Sequence, residues 1–275
     1  MNAAFFADCF SGAGGVARKL RLRGGLAREW DIALDPETDL CAHRTRRRLK
    51  HEIRQGRCCG LMLAPPCGSW TTARDRAHPI RSRACPLGLP DLDAKDQEKV
   101  EIGNRTANAA IDLAEVAHAC RCVWVLEQPH TSKMWQHPRM LRLRRRSSVQ
   151  EVVTDFCMWG KPWRKRTRFL VGHADPADLD KLARRCHGRG LCQRTGRPHV
   201  ILTGSERGIR RTLLAMPYPE ELCHVLASIL IDNARPSHPG RHRARGHTSS
   251  PRSCTPMATG RQGQSWEDWF AQASA

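Results

Sequence analysis

Ala64-Pro65-Pro66-Cys67-Gly68-Ser69-Trp70 follows a short apolar run, Leu61-Met62-Leu63, that reads as a buried strand. The two prolines stop the strand and stiffen the turn. Cys67 is therefore expected on a loop at the strand's carboxyl end, the edge where open α/β sheets place ligands and chemistry. A thiol held there can act as a nucleophile once it ionises. The competing reading is a buried cysteine that packs as a small hydrophobe. Other stretches of the chain decide between them.

Upstream, the apolar run Phe5–Cys9 reads as a first strand and leads into Phe10-Ser11-Gly12-Ala13-Gly14-Gly15. A helix then begins at Val16. Strand, glycine turn and helix form a cradle for an anionic or nucleotide-like ligand at a helix N-terminus, although an ordinary tight turn has the same composition. Residues 31–35 read as a second strand ending in Asp35. That acid lies about twenty residues past the glycines, where a carboxylate can take a ribose hydroxyl pair. With Pro36 following, Asp35 also suits a helix N-cap. Residues 42–55 form a helix with Leu49 and Ile53 inward and an arginine-rich outer face.

Downstream, residues 71–91 are polar, arginine-dotted and too long for an ordinary connection; such loops act as lids or stay disordered. Arg74, Arg76, Arg81 and Arg83 in this loop suit phosphates. The spacing of Ile102, Ala109, Leu113, Val116 and Ala117 predicts a helix over 100–120 with these residues facing the sheet. Residues 122–126 form another buried strand, ending at Glu127-Gln128-Pro129. If this strand neighbours the one before Cys67, Glu127 shares its pocket; otherwise it is a loop acid paired with an arginine. A short basic helix over 138–146 precedes a strand at 149–156. A turn at 157–163 leads to Arg164-Lys165-Arg166-Thr167-Arg168 and a strand at 169–172. This dense basic cluster is expected to face phosphate.

Cys186, Cys192 and His199 lie among glycines in a loop-rich stretch and can hold zinc. Cys157 or His187 would supply the fourth ligand. The spacing is not that of a common zinc finger, and free thiols in a small insert are the alternative. A last helix over 220–234 has Leu222, Val225, Leu226 and Ile229 as its apolar face. From 235 to 263 the chain is rich in Pro, Ser, Gly, Arg and His, a flexible basic tail that cannot bury a core. Residues 266–272 form a short amphipathic end.

The chain has 275 residues and a formal charge of +19, spread along its length, which favours a nucleic-acid partner. It has 13 cysteines and no signal peptide or bilayer-spanning run. Free thiols in a reducing, intracellular setting are expected, with nuclear placement if the source is eukaryotic, no membrane association and a monomeric chain. The motif-bearing region starts within a few residues of Met1, so no amino-terminal regulatory part is expected.

In this order, the stretches resemble the cytosine-5 DNA methyltransferases, enzymes that use S-adenosylmethionine. Residues 8–15 are similar to that family's cofactor loop, Pro66-Cys67 to its nucleophile motif, and Glu127-Gln128-Pro129 to its Glu-Asn-Pro. Gly160-Lys161-Pro162-Trp163 through residues 168–172 are similar to its basic strand motif. The divergent details resemble members from mobile elements and protist genomes. The resemblance implies an α/β, Rossmann-like methyltransferase sheet flanked by helices, with a small Cys/His-containing insert. The core would span 1–172, the insert 173–211 (a target-recognition or zinc-binding region), the completing helix 212–234 and the tail 235–275. It implies Cys67, Glu127, Arg164 and Lys165 as catalytic residues. It implies Asp8, Phe10, Ser11, Gly12, Ala13, Gly14, Gly15, Asp35, Pro65 and Pro66 as cofactor contacts.

The implied chemistry is addition of the Cys67 thiolate to carbon 6 of a cytosine flipped out of DNA, with methylation at carbon 5 and Glu127 on the ring nitrogen. Gln128 stands where the family has asparagine, and its late Gly-Asn motif is not visible. RNA as substrate and an inactive nucleic-acid-binding relic are alternatives, as is a zinc-stabilised binding module. An amino-group methyltransferase would carry Asp or Asn before the two prolines; Ala64 stands there.

Overall fold

The computed structural model describes residues 3–72 and 78–235. Its centre is a six-stranded sheet in the order β2-β1-β3-β4-β6-β5. The strands are β1 (Phe5–Cys9), β2 (Ala27–Trp30), β3 (Cys58–Leu63), β4 (Val123–Pro129), β5 (Val149–Asp155) and β6 (Arg166–Gly172). The β1–β2, β1–β3 and β3–β4 pairs are parallel, while β6 is antiparallel to both β4 and β5. This is the expected α/β sheet. Parallel strands need crossover helices, which cover both faces; hence β3 and β4 read as nearly continuous apolar runs.

Alternate side chains feed two cores. Phe5, Ala7, Cys9, Leu61, Leu63, Trp124 and Leu126 pack under α2 (His43–Arg54), α3 (Ala94–Ala119) and α4 (Pro138–Arg144). Phe6, Met62, Val123, Val125, Phe169 and Val171 pack under α1 (Gly15–Leu22) and α7 (Glu220–Asp232). At Gly60 a Cβ would stand 3.0 Å from Val123 and 3.1 Å from Phe6, so this strand position keeps glycine to let α7 close on the sheet. Leu49 and Ile53 on α2, and Leu222, Leu226 and Ile229 on α7, are buried as their spacing predicts.

Two elements depart from expectation. The second strand ends at Trp30 instead of occupying 31–35. Asp31 turns the chain: its Oδ1 accepts from the Ala33 amide, and its carbonyl from those of Leu34 and Asp35. Such local side-chain bonds compete with strand pairing, and Ile32 and Leu34 are left exposed. The long helix starts at Ala94, six residues before the expected 100, because the Asp93 carboxylate caps it through the Asp96 amide at 2.7 Å. Ile102, expected inward, is exposed on this helix.

The insert between β6 and α7 contains α5 (Pro176–Asp180), the hairpin β7 (Ser205–Glu206) and β8 (Ile209–Arg210), and the single turn α6 (Arg211–Leu214). No helix among the described residues is long and apolar enough to cross a membrane. Arg74, Arg76 and the expected tail after 235 lie outside the described residues.

Candidate active site

The site forms along the carboxyl ends of β1, β2, β3 and β4. After β1 the chain turns through Phe10, Gly12 and Gly14 at φ of 57°, 53° and 61°. Glycine takes this left-handed region without the Cβ penalty, whereas Phe10 is strained there. The Gly12 amide donates to Asp31 Oδ2 at 2.8 Å and the Ala17 amide to Asp8 Oδ2 at 2.9 Å. Burial pushes the Asp8 carboxyl up to about 7, opposed by that amide bond and reinforced by Glu29 and Asp31. A Cβ on Gly14 would collide with Glu29 Oε1, so the Glu29 carboxylate lies directly on the glycine turn. It also pairs with Arg21 at 2.9 Å. Asp35 does not take this place: its Oδ1 accepts from the Glu37 amide and caps the turn Pro36–Thr38. The shortened β2 explains the difference, because it puts Glu29 and Asp31 at the strand tip.

β3 delivers the Cys67 loop. The Ala64 amide donates to the Cys9 carbonyl, and the Trp70 amide to the Cys67 carbonyl. Gln128 braces the loop from β4. Fully buried, it donates from Nε2 to the Pro65 carbonyl at 2.5 Å and accepts at Oε1 from Ser132 Oγ at 3.0 Å. Gln128 thus ties the end of β4 to the Cys67 loop. Beyond Cys67, the Arg81 guanidinium stacks on Trp70 at 3.5 Å. It also donates to Ser69, Pro86, Val100 and Asn104. Arg81 is buried, which removes it from the expected phosphate-facing set; Arg83 is exposed.

Because β3 and β4 are adjacent and parallel, with Leu63 opposite Leu126, Glu127 falls beside the Cys67 loop. Both groups are shifted in the same direction. Burial pushes the Cys67 thiol up; Lys165 opposes this and Glu127 adds to it. Burial pushes the Glu127 carboxyl up, opposed by Lys165 and Tyr218. The Tyr218 hydroxyl is buried beside the Glu127 carboxyl and is that carboxyl's hydrogen-bonding neighbour. Lys165 is held there by a 3.2 Å bond to the Ala215 carbonyl and sits 4.8 Å above the Phe156 ring.

The rest of the basic cluster is spent elsewhere. Arg164 points at the insert and donates to the Cys186 and Gly188 carbonyls. Arg166 grips Asp155 with two bonds, at 2.8 and 3.0 Å. Arg168 pairs with Glu151 at 3.2 Å and approaches His130 at 3.3 Å. Strand alternation explains the split, since Arg166 and Arg168 share one face and Lys165 lies toward the other. A cavity of about 640 Å³ opens nearby, lined by Arg83, His130, Thr131, Ser132, Lys133 and Arg168 among others. Cys67 and Glu127 do not line it.

At the insert, Cys157, Cys186, Cys192 and His199 bring their ligand atoms within 4.8 Å of one another. His187, the alternative fourth ligand, is exposed and outside this group. Three residues of the site escape sequence reasoning. Glu29 and Asp31 were readable only with the correct end of β2. Tyr218 had one signal, as the chain's single tyrosine.

No protein-family model and no curated protein matches this sequence. Among solved structures, the chain is similar to the Entamoeba histolytica methyltransferase EhMeth, with 10% identity and a TM-score of 0.44, covering 84% of this chain and 99% of that chain. It is also similar to the S. pombe Dnmt2 methyltransferase, with 14% identity and a TM-score of 0.36, covering 66% of this chain and 55% of that chain.

Proposed function

We infer that this protein transfers a methyl group from S-adenosylmethionine to carbon 5 of cytosine in DNA, through a covalent adduct at Cys67. One observation carries it: Glu127 at the end of β4 and Lys165 just before β6 both bear on the Cys67 thiol, the carboxyl pushing it up and the ammonium opposing that, where the neighbouring ends of β3 and β4 meet. A thiol buried only for packing does not require a buried carboxyl and an ammonium beside it.

The residues fit the cofactor. Ser11 Oγ is buried with no partner, a Cβ on Gly12 would meet open space, and Glu29 lies at the tip of β2 against Gly14. Glu29 would take the ribose hydroxyls in place of Asp35, and the turn 10–15 the methionine portion. When bound, S-adenosylmethionine supplies an electrophilic methyl group for carbon 5.

The chain's own residues do the rest. The Cys67 thiolate adds to carbon 6, forming a C–S bond and pushing electron density onto carbon 5 and the ring nitrogen. Glu127, whose burial favours the protonated form, donates its proton to that nitrogen as the charge develops. Lys165 favours the thiolate by its charge. After methylation a base or water removes the carbon-5 proton. The C–S bond then breaks, the sulfur leaves as thiolate, and the nitrogen returns its proton to Glu127. The basic surface around the exposed Arg83 would hold the phosphates of the flipped-out strand.

The test is methyl incorporation from labelled S-adenosylmethionine into DNA and RNA of matched sequence. Incorporation at cytosine carbon 5 that Cys67→Ser abolishes supports the mechanism. Undiminished transfer by Cys67→Ser removes it, and transfer to RNA alone reassigns the substrate. A chain that binds nucleic acid but gives no calorimetric signal with S-adenosylmethionine is an inactive relic.

A further inference from the structure

A buried cluster of three cysteines lies where the insert meets the core. Cys157, Cys186 and Cys192 pack together, and among the described residues the hydrophobic neighbour packed against them is the half-buried Met158. Three sulfurs do not make a hydrophobic core. The surrounding chain offers little more: between α5 and β7 it forms no helix or strand, only an isolated bridge from Leu191 to Pro198. Leu191 and Ile201 in this stretch are 53% and 70% exposed. A segment this poor in buried apolar area needs a crosslink to hold one conformation.

We propose that Cys157, Cys186, Cys192 and His199 form a structural zinc site that fastens the insert to the catalytic core. Their ligand atoms all lie within 4.8 Å of one another, and Cys186 Sγ to His199 Nε2 is 3.7 Å. The edges of a tetrahedron with zinc–sulfur and zinc–nitrogen bonds of ordinary length are about 3.6–3.8 Å, so a small contraction closes the shell. Three sulfurs and one imidazole are a donor set that selects zinc over hard cations.

The backbone is already turned toward the sulfurs. The Gln193 amide donates to Cys186 Sγ at 3.4 Å, and the Arg194 and Thr195 amides face Cys192. Such N–H···S contacts orient ligating thiolates and spread their charge. Binding displaces the thiol protons to solvent. Zinc with three thiolates leaves a net single negative charge, and cations stand close by: Arg164 donates to the Cys186 carbonyl, and Arg166 lies near Cys186 and Cys157.

The placement gives the metal a consequence for the site proposed above. Cys157 follows β5 in the core, whereas the other ligands belong to the insert. Asp155 accepts from the Cys186 amide and from Arg166. Arg164 and Arg166 thus both reach the zinc cluster, and between them lies Lys165, which faces Cys67 and Glu127. The metal site itself does not depend on the methyltransferase reading; only its effect on Lys165 does.

The experiment is elemental analysis of the full chain purified without a metal-affinity step. The expected result is one zinc per chain, lost in Cys186→Ser and Cys192→Ser and retained in His199→Cys, which keeps a ligand. Cobalt substitution of the wild-type chain is expected to give the absorption of tetrahedral thiolate coordination. Chelation is expected to open residues 181–204 to protease while the core stays resistant. A folded wild-type chain with no stoichiometric metal overturns the proposal, as does peptide mapping that finds a disulfide among these cysteines in the native protein. Because wild-type metal content decides, an unfolded variant leaves the result intact. Zinc without methyl transfer refutes only the catalytic reading.

Discussion

Replacing Gln128 by leucine keeps the side chain's bulk and removes both of its polar atoms. In the wild-type chain that amide is fully buried between the Pro65 carbonyl and the Ser132 hydroxyl. Ser132 Oγ keeps its bond from the Met134 amide, but the Pro65 carbonyl loses its side-chain donor. Leaving one buried acceptor unpaired and one hydroxyl half-satisfied costs about 2–4 kcal/mol. For a folded region of this size that is a fall of about 5–15 °C in melting temperature. Gln128→Asn shortens the reach by one methylene, cannot span both partners, and is expected to lose roughly half as much. The loop that loosens is the one holding Cys67. Site-resolved alkylation, read by mass spectrometry, should therefore show Cys67 reacting faster in both variants while buried Cys9 and Cys58 stay unreactive. If Gln128→Leu melts within about 1 °C of wild type and Cys67 alkylates at the wild-type rate, Gln128 does not brace the nucleophile loop.

Other outcomes follow from the same geometry. Lys165 opposes the upward push on both Cys67 and Glu127, so Lys165→Gln should move the ascending limb of kcat/KM to higher pH; an unmoved limb shows that Lys165 does not act on the thiol. Asp8 holds a proton up to about pH 7 when folded, whereas an unfolded carboxyl loses it near pH 4. The folded state therefore binds the extra proton between those values, and this contribution is complete below about 4 and lost as pH rises through about 7. The separation corresponds to about 4 kcal/mol. Asp8→Asn should flatten the decline in stability between about pH 4 and 7, and an unchanged slope in denaturant titrations contradicts the assignment. Gly14→Val sets a side chain against Glu29 at φ of 61°, and calorimetry should show S-adenosylmethionine binding at least about tenfold weaker, a loss of about 1.4 kcal/mol. Wild-type affinity in that variant means the cofactor does not use the glycine turn.

Much of this architecture was legible because period and punctuation agreed. The apolar runs at β1, β3 and β4, each ended by glycine or proline, gave their strands, while the adjacency of Cys67 and Glu127 hung on the pairing of β3 with β4, which the sheet supplies. What stayed hidden was decided by side chains acting on backbone. Asp31 accepts from the amides just after it, which ends β2 early and puts Glu29, not Asp35, against the glycine turn. Asp93 starts α3 a turn and a half early by capping it. The arginines were the hardest to assign, since composition cannot say which face a strand presents. Arg164 and Arg166 are absorbed by Asp155 and the insert, Arg81 by the loop interior, and of the basic residues 164–168 it is Lys165 that turns to Cys67 and Glu127. The Cys/His group was visible as residue types, but only the fold chose Cys157 over His187.

The most direct measurement of the covalent step is trapping on an oligonucleotide carrying 5-fluorocytosine. Fluorine at carbon 5 cannot leave as a proton does, so after methylation the C–S bond cannot break. With S-adenosylmethionine present, the covalent mechanism predicts a stable protein–oligonucleotide complex whose crosslinked peptide contains Cys67, absent in Cys67→Ser. Methyl transfer to normal cytosine without any such complex, or a complex that forms equally well in Cys67→Ser, contradicts it.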